Sequence, residues 1–146
     1  MDRVDWHILA ELQVDARLSF NALARRVSLS APATADRVRR LQDSGVITGY
    51  RARVNPARAG RPVRAFVRMQ CYGSACVLRD PAVRDWPEVL QMHRVTGVDC
   101  SVLLVAVQDM VAFERLLDHL ADYGRPESSM ILDDIVVDNP IRMESS

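Results

Sequence analysis

The sequence predicts an α+β fold of two domains, a small helical domain followed by a βαββαβ domain. Apolar residues recur at the spacing of amphipathic helices over the first third of the 146 residues, and strand-like apolar runs alternate with helical patterns over the rest. Charge divides the chain at the same place, because residues 1–64 contain 12 arginines against 6 acidic residues and residues 65–146 contain 7 against 13. The predicted boundaries are 1–54 for the helical domain, 55–62 for a linker and 63–146 for the second domain.

The composition limits the class of protein. Hydrophobic residues make up 49% of the chain, which is enough for packed cores and argues against a disordered protein. No apolar run approaches the roughly 20 residues that span a bilayer, and the first residues lack the pattern of a secretory signal. We therefore expect a cytoplasmic protein. The excess of arginine in the first half predicts attraction to phosphate, with an affinity that falls as salt rises.

Three helices are predicted in the first domain. The first ends near Val14, and Ser19 is a suitable N-cap for a short second helix. Ser30 is a suitable cap for the third, where Pro32 fits the first turn because the amide that proline lacks would be unpaired there. Gly45 ends the third helix in the manner of a C′ glycine.

The third helix is expected to bury one side and leave the other free. Val38 and Leu41 share the inner side, and the outer side is expected to carry Ala33, Asp36, Arg37 and Arg40. Two short helices joined by a tight turn, the second with small residues at its start, favour a helix-turn-helix, whose second helix enters the major groove of DNA. The alternative is a solvated helix face that happens to carry arginine.

A strand is predicted directly after the third helix. Residues 46–54 alternate with period two, so that Arg51 and Arg53 share one side. A strand with outward arginines at this place is typical of the wing or hinge strand of a winged helix-turn-helix. Its arginines either contact phosphate or form a plain exposed edge.

The second domain is predicted to contain four strands and two helices in the order βαββαβ, which is the ferredoxin-like arrangement. The predicted strands are 63–72, 89–95, 102–107 and 130–137, and the predicted helices are a weak one over 76–85 and a clear one from Asp109 to Gly124. A four-stranded sheet with helices on one side leaves an apolar face that needs a partner.

Short segments spread over the chain resemble the Lrp/AsnC (leucine-responsive/asparagine regulator, feast/famine) family in both order and spacing. In the first domain these are Asp5–Leu9, Arg17–Ser19, Leu23–Val27, Leu29–Ser30, Arg37–Leu41 and Gly45–Tyr50; in the second they are Pro87–Val89, Arg94–Gly97 and Asp109–Met110. The resemblance implies a bacterial, sequence-specific DNA-binding transcription regulator with a C-terminal regulatory (RAM) domain. It also implies a homodimer that assembles further, for example into an octamer, and no cofactor beyond an amino-acid or other small-molecule effector.

The resemblance also assigns sites. It implies that residues 30–41 are the recognition helix, with contacts to double-stranded DNA from Ala31, Pro32, Ala33, Arg37 and Arg40.

The effector site departs from the family pattern. Family members follow Val-Thr-Gly with a variable residue, an aromatic residue and an aspartate, whereas Gly97 is followed here by Val98, Asp99 and Cys100. Cysteine lacks the carboxylate that accepts an ammonium group, and strand alternation directs Asp99 to the other face. We expect an altered or absent amino-acid response at a site comprising Gly97, Asp99 and Cys100.

The cysteines predict no metal site. Cys71, Cys76 and Cys100 are odd in number, and the first two have poor spacing for zinc, so we expect reduced thiols in or near a core.

An enzyme is the main alternative from another class. The histidines His7, His93 and His119 fall on three different elements with no paired nucleophile, and no glycine-rich phosphate loop is present. We therefore expect no catalytic site; acidic neighbours of His119 hint at a metal, but an exposed helix face explains them better.

Two alternatives without enzymatic activity also stay open. One is a nucleoid-architectural protein that binds DNA with low sequence specificity, and the other is a small-molecule sensor that works without DNA. The basic first half of the chain disfavours the second.

Overall fold

The computed structural model describes residues 1–144, so the last two residues of the predicted second domain, 145 and 146, lie outside it. The chain divides into two compact units. Of the residues described, one unit contains 1–52 together with 136–144, and the other contains 53–135. Among the residues described, no helix is long and apolar enough to cross a membrane.

The first unit contains three helices, each begun by a polar cap. They are α1 (Arg3–Val14), α2 (Phe20–Val27) and α3 (Ala31–Asp43). The Ser19 and Ser30 hydroxyls accept hydrogen bonds from backbone amides three residues ahead, at 3.2 and 3.3 Å, which confirms both predicted caps. Gly45 follows α3 with a φ of +73°, as the C′ prediction requires.

An aliphatic core holds the three helices together. Ile8, Leu23, Val38 and Leu41 come from different turns of α1, α2 and α3 and are at most 4% exposed. Burial of such a side chain contributes about 1.5–3 kcal/mol, so these residues supply much of the free energy that packs α3 against α1 and α2.

The predicted wing strand is not formed. Residues 46–54 contain no strand, and Val54 and Tyr50 are exposed. Alternation of polar and apolar residues produces a strand only where a neighbouring strand accepts its hydrogen bonds, and within residues 1–144 none pairs with this segment.

The second unit is a four-stranded antiparallel sheet with its helix on one side. The strands β1 (Val63–Cys71), β2 (Val89–Arg94), β3 (Ser101–Val107) and β4 (Gly124–Met130) lie in the order β2-β3-β1-β4, and α4 (Met110–Ala121) begins at the cap Asp109. This topology confirms the predicted ferredoxin-like α+β fold.

The two faces of this sheet differ. Ala65, Val67 and Met69 of β1 are fully buried, together with Leu103 and Val105 of β3, and they pack in the core that α4 covers. The intervening residues of the same strands face away from this core.

Two element predictions in this unit are wrong. The weak helix predicted over 76–85 is a 3₁₀ turn at Pro81–Asp85, because Pro81 begins it and Trp86-Pro87 follows. The last strand is β4, not 130–137, and it contains the glycine that was predicted to end the preceding helix. Gly124 lies against the Gln70 carbonyl, where a Cβ would overlap the backbone. Pro126 is tolerated because β4 is an edge strand.

Candidate nucleic-acid interface

One side of helix α3 is accessible to solvent, and its other side packs in the core with α1 and α2. Thr34 is fully buried, and its hydroxyl donates to the Ser30 carbonyl at 2.9 Å. Pro32 and Ala33 are exposed, and Ala31 is half-buried. The start of α3 therefore offers small side chains that permit close approach of another molecule, as a helix that enters a groove requires.

Arg37 does not lie free, contrary to the prediction for the outer side of α3. It is half-buried, and its Nη1 donates to Asp2 Oδ2 and to Asp5 Oδ1, each at 2.7 Å. Sequence analysis missed these contacts because the pair lies more than 30 positions away. Asp2 and Asp5 lie at the start of α1, where each accepts a hydrogen bond from the other's backbone amide in a capping box. This capping box fixes the two carboxylates that bind Arg37 of α3.

These contacts favour the charged forms of the groups involved. Hydrogen bonding from the Asp5 amide, and then from Arg37, lowers the pKa of Asp2. The same contacts, chiefly that with Asp2, raise the pKa of Arg37. The Arg37 guanidinium is thus held as a cation at one position on the surface of α3.

Arg40 lies on the surface of α3 as predicted. It is exposed, and it forms no ion pair with any residue between positions 1 and 144. Its neighbour Arg39 is paired with Asp36 at 3.0 Å, one turn away. Ala33, Arg37 and Arg40 line one shallow depression with this pair, so the structure brings three of the five predicted contact residues together.

The turn predicted as the effector site lies between β2 and β3. Gly97 has a φ of +113°, a conformation that glycine adopts without strain. Asp99 accepts a hydrogen bond from Gln70 Nε2 at 3.3 Å and lies 3.8 Å from Arg68 Nε. The Asp99 carboxylate is therefore engaged by Gln70 and Arg68, which lie on the face of β1 opposite its buried residues.

Cys100 faces a different environment from its neighbour Asp99. Its sulfur lies with those of Cys71 and Cys76, all three within 4.8 Å of one another. Sequence spacing alone missed this cluster because Cys100 lies 24 or more positions away, in the turn before β3. The available signal was that Cys71 ends β1 and Cys100 precedes β3, the antiparallel neighbour of β1.

His119 has a packing role. Its ring stacks on Trp86 at a centroid distance of 4.1 Å, with Tyr123 nearby. The Tyr123 hydroxyl donates to Asp80 at 2.6 Å; this bond lowers the pKa of Asp80 and raises that of Tyr123. Within residues 1–144, His119 belongs to no group of potential metal ligands.

Comparison with known proteins gives two family matches that together cover most of the chain. Residues 1–42 match the AsnC-type helix-turn-helix domain, and residues 65–141 match the Lrp/AsnC ligand binding domain.

Individual relatives agree with these matches. The chain is 36% identical over 142 residues to the HTH-type transcriptional regulator Rv2324 of Mycobacterium tuberculosis, covering 93% of this chain and 95% of that protein. Among solved structures, LrpC of Bacillus subtilis is similar with a TM-score of 0.88 and 26% identity, covering 93% of this chain and 97% of that one. The transcriptional regulator NMB0573 of Neisseria meningitidis, solved in complex with L-Met, is similar with a TM-score of 0.87 and 31% identity, covering 97% and 96%.

Proposed function

This chain belongs to the Lrp/AsnC family of transcription regulators, and from that premise we propose that it binds specific duplex DNA sequences through α3. It is a regulator and not an enzyme. The observation that carries the proposal is the division of α3, whose inner residues Val38 and Leu41 are buried while its small N-terminal residues and Arg40 remain accessible.

The proposed contact surface comprises Ala31, Pro32, Ala33, Arg37 and Arg40. Small residues admit the start of α3 to the major groove, and an arginine donates to guanine edges or to phosphates. Arg40 is available for either contact. Arg37 contacts DNA while it remains paired with Asp2 and Asp5. Because these ion pairs already order its side chain, binding costs little further side-chain entropy.

The outer face of the sheet supports dimerisation. Phe66 is 46% exposed and pairs in register with Leu104, and Val102 lies beside them on the same face. Arg68 and Glu127 are charged neighbours at the edge of this patch. We propose that a second copy of the chain covers this face, because an apolar sheet face of this kind gains free energy when water is removed from it. Larger assemblies such as an octamer would be built from these dimers.

The effector response is proposed to be altered. Cys100 stands where the family pattern has an aspartate, and Asp99 is already engaged by Gln70 and Arg68. An amino-acid ammonium group therefore lacks its usual acceptor. We expect amino acids, L-Met included, to shift the melting temperature of the full chain little, and a strong shift with one of them would refute this part of the proposal.

Selection of bound duplexes from a random pool tests the DNA proposal directly. The full chain is expected to enrich one sequence motif and to bind it on the order of 10³-fold or more tighter than random duplex at physiological salt. Repeating the selection with a panel of amino acids tests the effector response. A binding ratio near one would instead favour an architectural protein with low specificity, and no binding at low salt would refute the role of α3.

A further inference from the structure

Three cysteines of the second unit converge at one end of the sheet. Cys71 ends β1, and the turn that follows returns the chain, with Gly73 at a φ of +53° and a bridge between Tyr72 and Ala75. The return brings the Cα of Cys76 to 4.8 Å from that of Cys71.

The third cysteine, Cys100, lies in the turn directly before β3, the strand that pairs with β1. The Cys100 amide donates to the Met69 carbonyl at 2.7 Å, which fixes the residue beside the end of β1. Its Cα lies 6.2 Å from that of Cys71, and its sulfur lies 3.9 Å from that of Cys76. The convergence therefore follows from strand pairing and one tight turn.

Disulfide chemistry cannot use all three sulfurs. Cys71 Sγ is in bonding contact with Cys76 Sγ and also with Cys100 Sγ, but a sulfur bonded to its own Cβ forms only one disulfide. Either pairing leaves one thiol over. A single metal ion bound by three thiolates satisfies the whole cluster at once.

We propose that Cys71, Cys76 and Cys100 form a binding site for one soft, thiolate-preferring metal ion. Around an ion with metal–sulfur bonds of about 2.3 Å, tetrahedral geometry separates the sulfurs by roughly 3.8 Å. The 3.9 Å between the Cys76 and Cys100 sulfurs matches this edge, whereas the Cys71 sulfur lies in bonding contact with both and must move away from them to admit an ion. Thiolate sulfur selects zinc, cadmium or copper(I) over hard cations such as magnesium.

The site has three protein ligands and an open position. Within residues 1–144, no histidine, acidic residue or further cysteine joins the cluster. The cysteines are not fully exposed, and Cys100 and Cys71 are half-buried, so water is partly excluded while an ion retains access. A fourth ligand would come from solvent, as at zinc sites that keep one position open.

Cadmium titration of the reduced full chain tests the proposal, because thiolate–cadmium charge transfer absorbs in the ultraviolet. We expect one ion per chain, protection of all three cysteines from alkylation as counted by mass spectrometry, and no effect of magnesium. Each of the variants Cys71→Ser, Cys76→Ser and Cys100→Ser removes one ligand and is expected to weaken cadmium binding about 100-fold or more. The basis is that loss of a residue that only hydrogen-bonds to a metal ligand already weakens metal binding about 10–100-fold.

Ser74→Ala is the matched control, because it changes an exposed residue of the same turn without removing a thiol. Circular dichroism checks that each variant is folded, and the protection experiment on the unmodified chain does not depend on any variant. A reduced chain that binds no cadmium, or binds it with one cysteine left unprotected, would overturn the proposal, as would serine variants that bind like the unmodified chain. Cadmium binding is measured without DNA, so this result is independent of the proposed regulation.

Discussion

Substitution of Arg40 by alanine probes the proposed DNA surface most directly. Arg40 is exposed on α3 and has no ion pair within the described residues, so its removal breaks no salt bridge of the protein. If Arg40 contacts a base, Arg40→Ala is expected to weaken binding of the selected duplex by about 1–3 kcal/mol, or roughly 5- to 150-fold in Kd. Discrimination against the wrong base at that position would fall as well.

A contact with phosphate instead of a base has a different signature. Each phosphate contact contributes about 0.9 to the slope of log K against log salt. In a dimer the substitution removes two contacts, so the slope of log K against log salt should become less steep by about 1.8. The affinity lost between 50 and 200 mM salt would then be about 12-fold smaller than in the unmodified protein.

Fluorescence anisotropy with a labelled duplex at several salt concentrations measures both quantities. Arg84→Ala is the matched control, since it removes the same charge from an exposed position in the sheet unit. An Arg40→Ala protein with unchanged Kd and unchanged salt slope would show that this face of α3 does not touch DNA.

Three further perturbations test the rest of the structure. Phe66→Asp places a charge on the outer sheet face and should yield a monomer by light scattering. Val111→Asp, at a similarly exposed position on α4, should leave the dimer intact, and a dimer in both variants would refute the assigned interface. The lowered pKa of Asp2 means that its stabilising effect is present above its ordinary value of 3.8 and is lost as pH falls through the lowered value. Urea midpoints should therefore decline less between pH 5 and pH 3 in Asp2→Asn, and parallel declines would contradict this. Gly124→Ala should destabilise the chain by about 1–3 kcal/mol, because its Cβ meets the Gln70 carbonyl and the backbone must shift; an unchanged melting temperature would contradict the close approach.

Local chemistry explains why the helical unit was predictable. Ser19, Ser30 and Gly45 act within four residues of the helix ends that they stabilise, and the apolar spacing of α3 identified Val38 and Leu41 as its buried residues. Such signals are complete in the sequence because the interacting groups are neighbours along the chain.

Strand predictions failed where pairing was decisive. Residues 46–54 alternate like a strand but have no partner strand among the described residues, and β4 includes Gly124 and Pro126, which strand propensity disfavours. In β4 the backbone pairing with β1 outweighs propensity, and the edge position tolerates the proline.

The amino-acid sequence by itself determined the family, the α+β class, the helix caps and the buried side of α3. Only the tertiary structure decided that Arg37 binds Asp2 and Asp5 and that three cysteines meet. The physical reason is distance along the chain: periodicity and capping act within one or two turns, whereas ion pairs and ligand clusters depend on where separate elements pack.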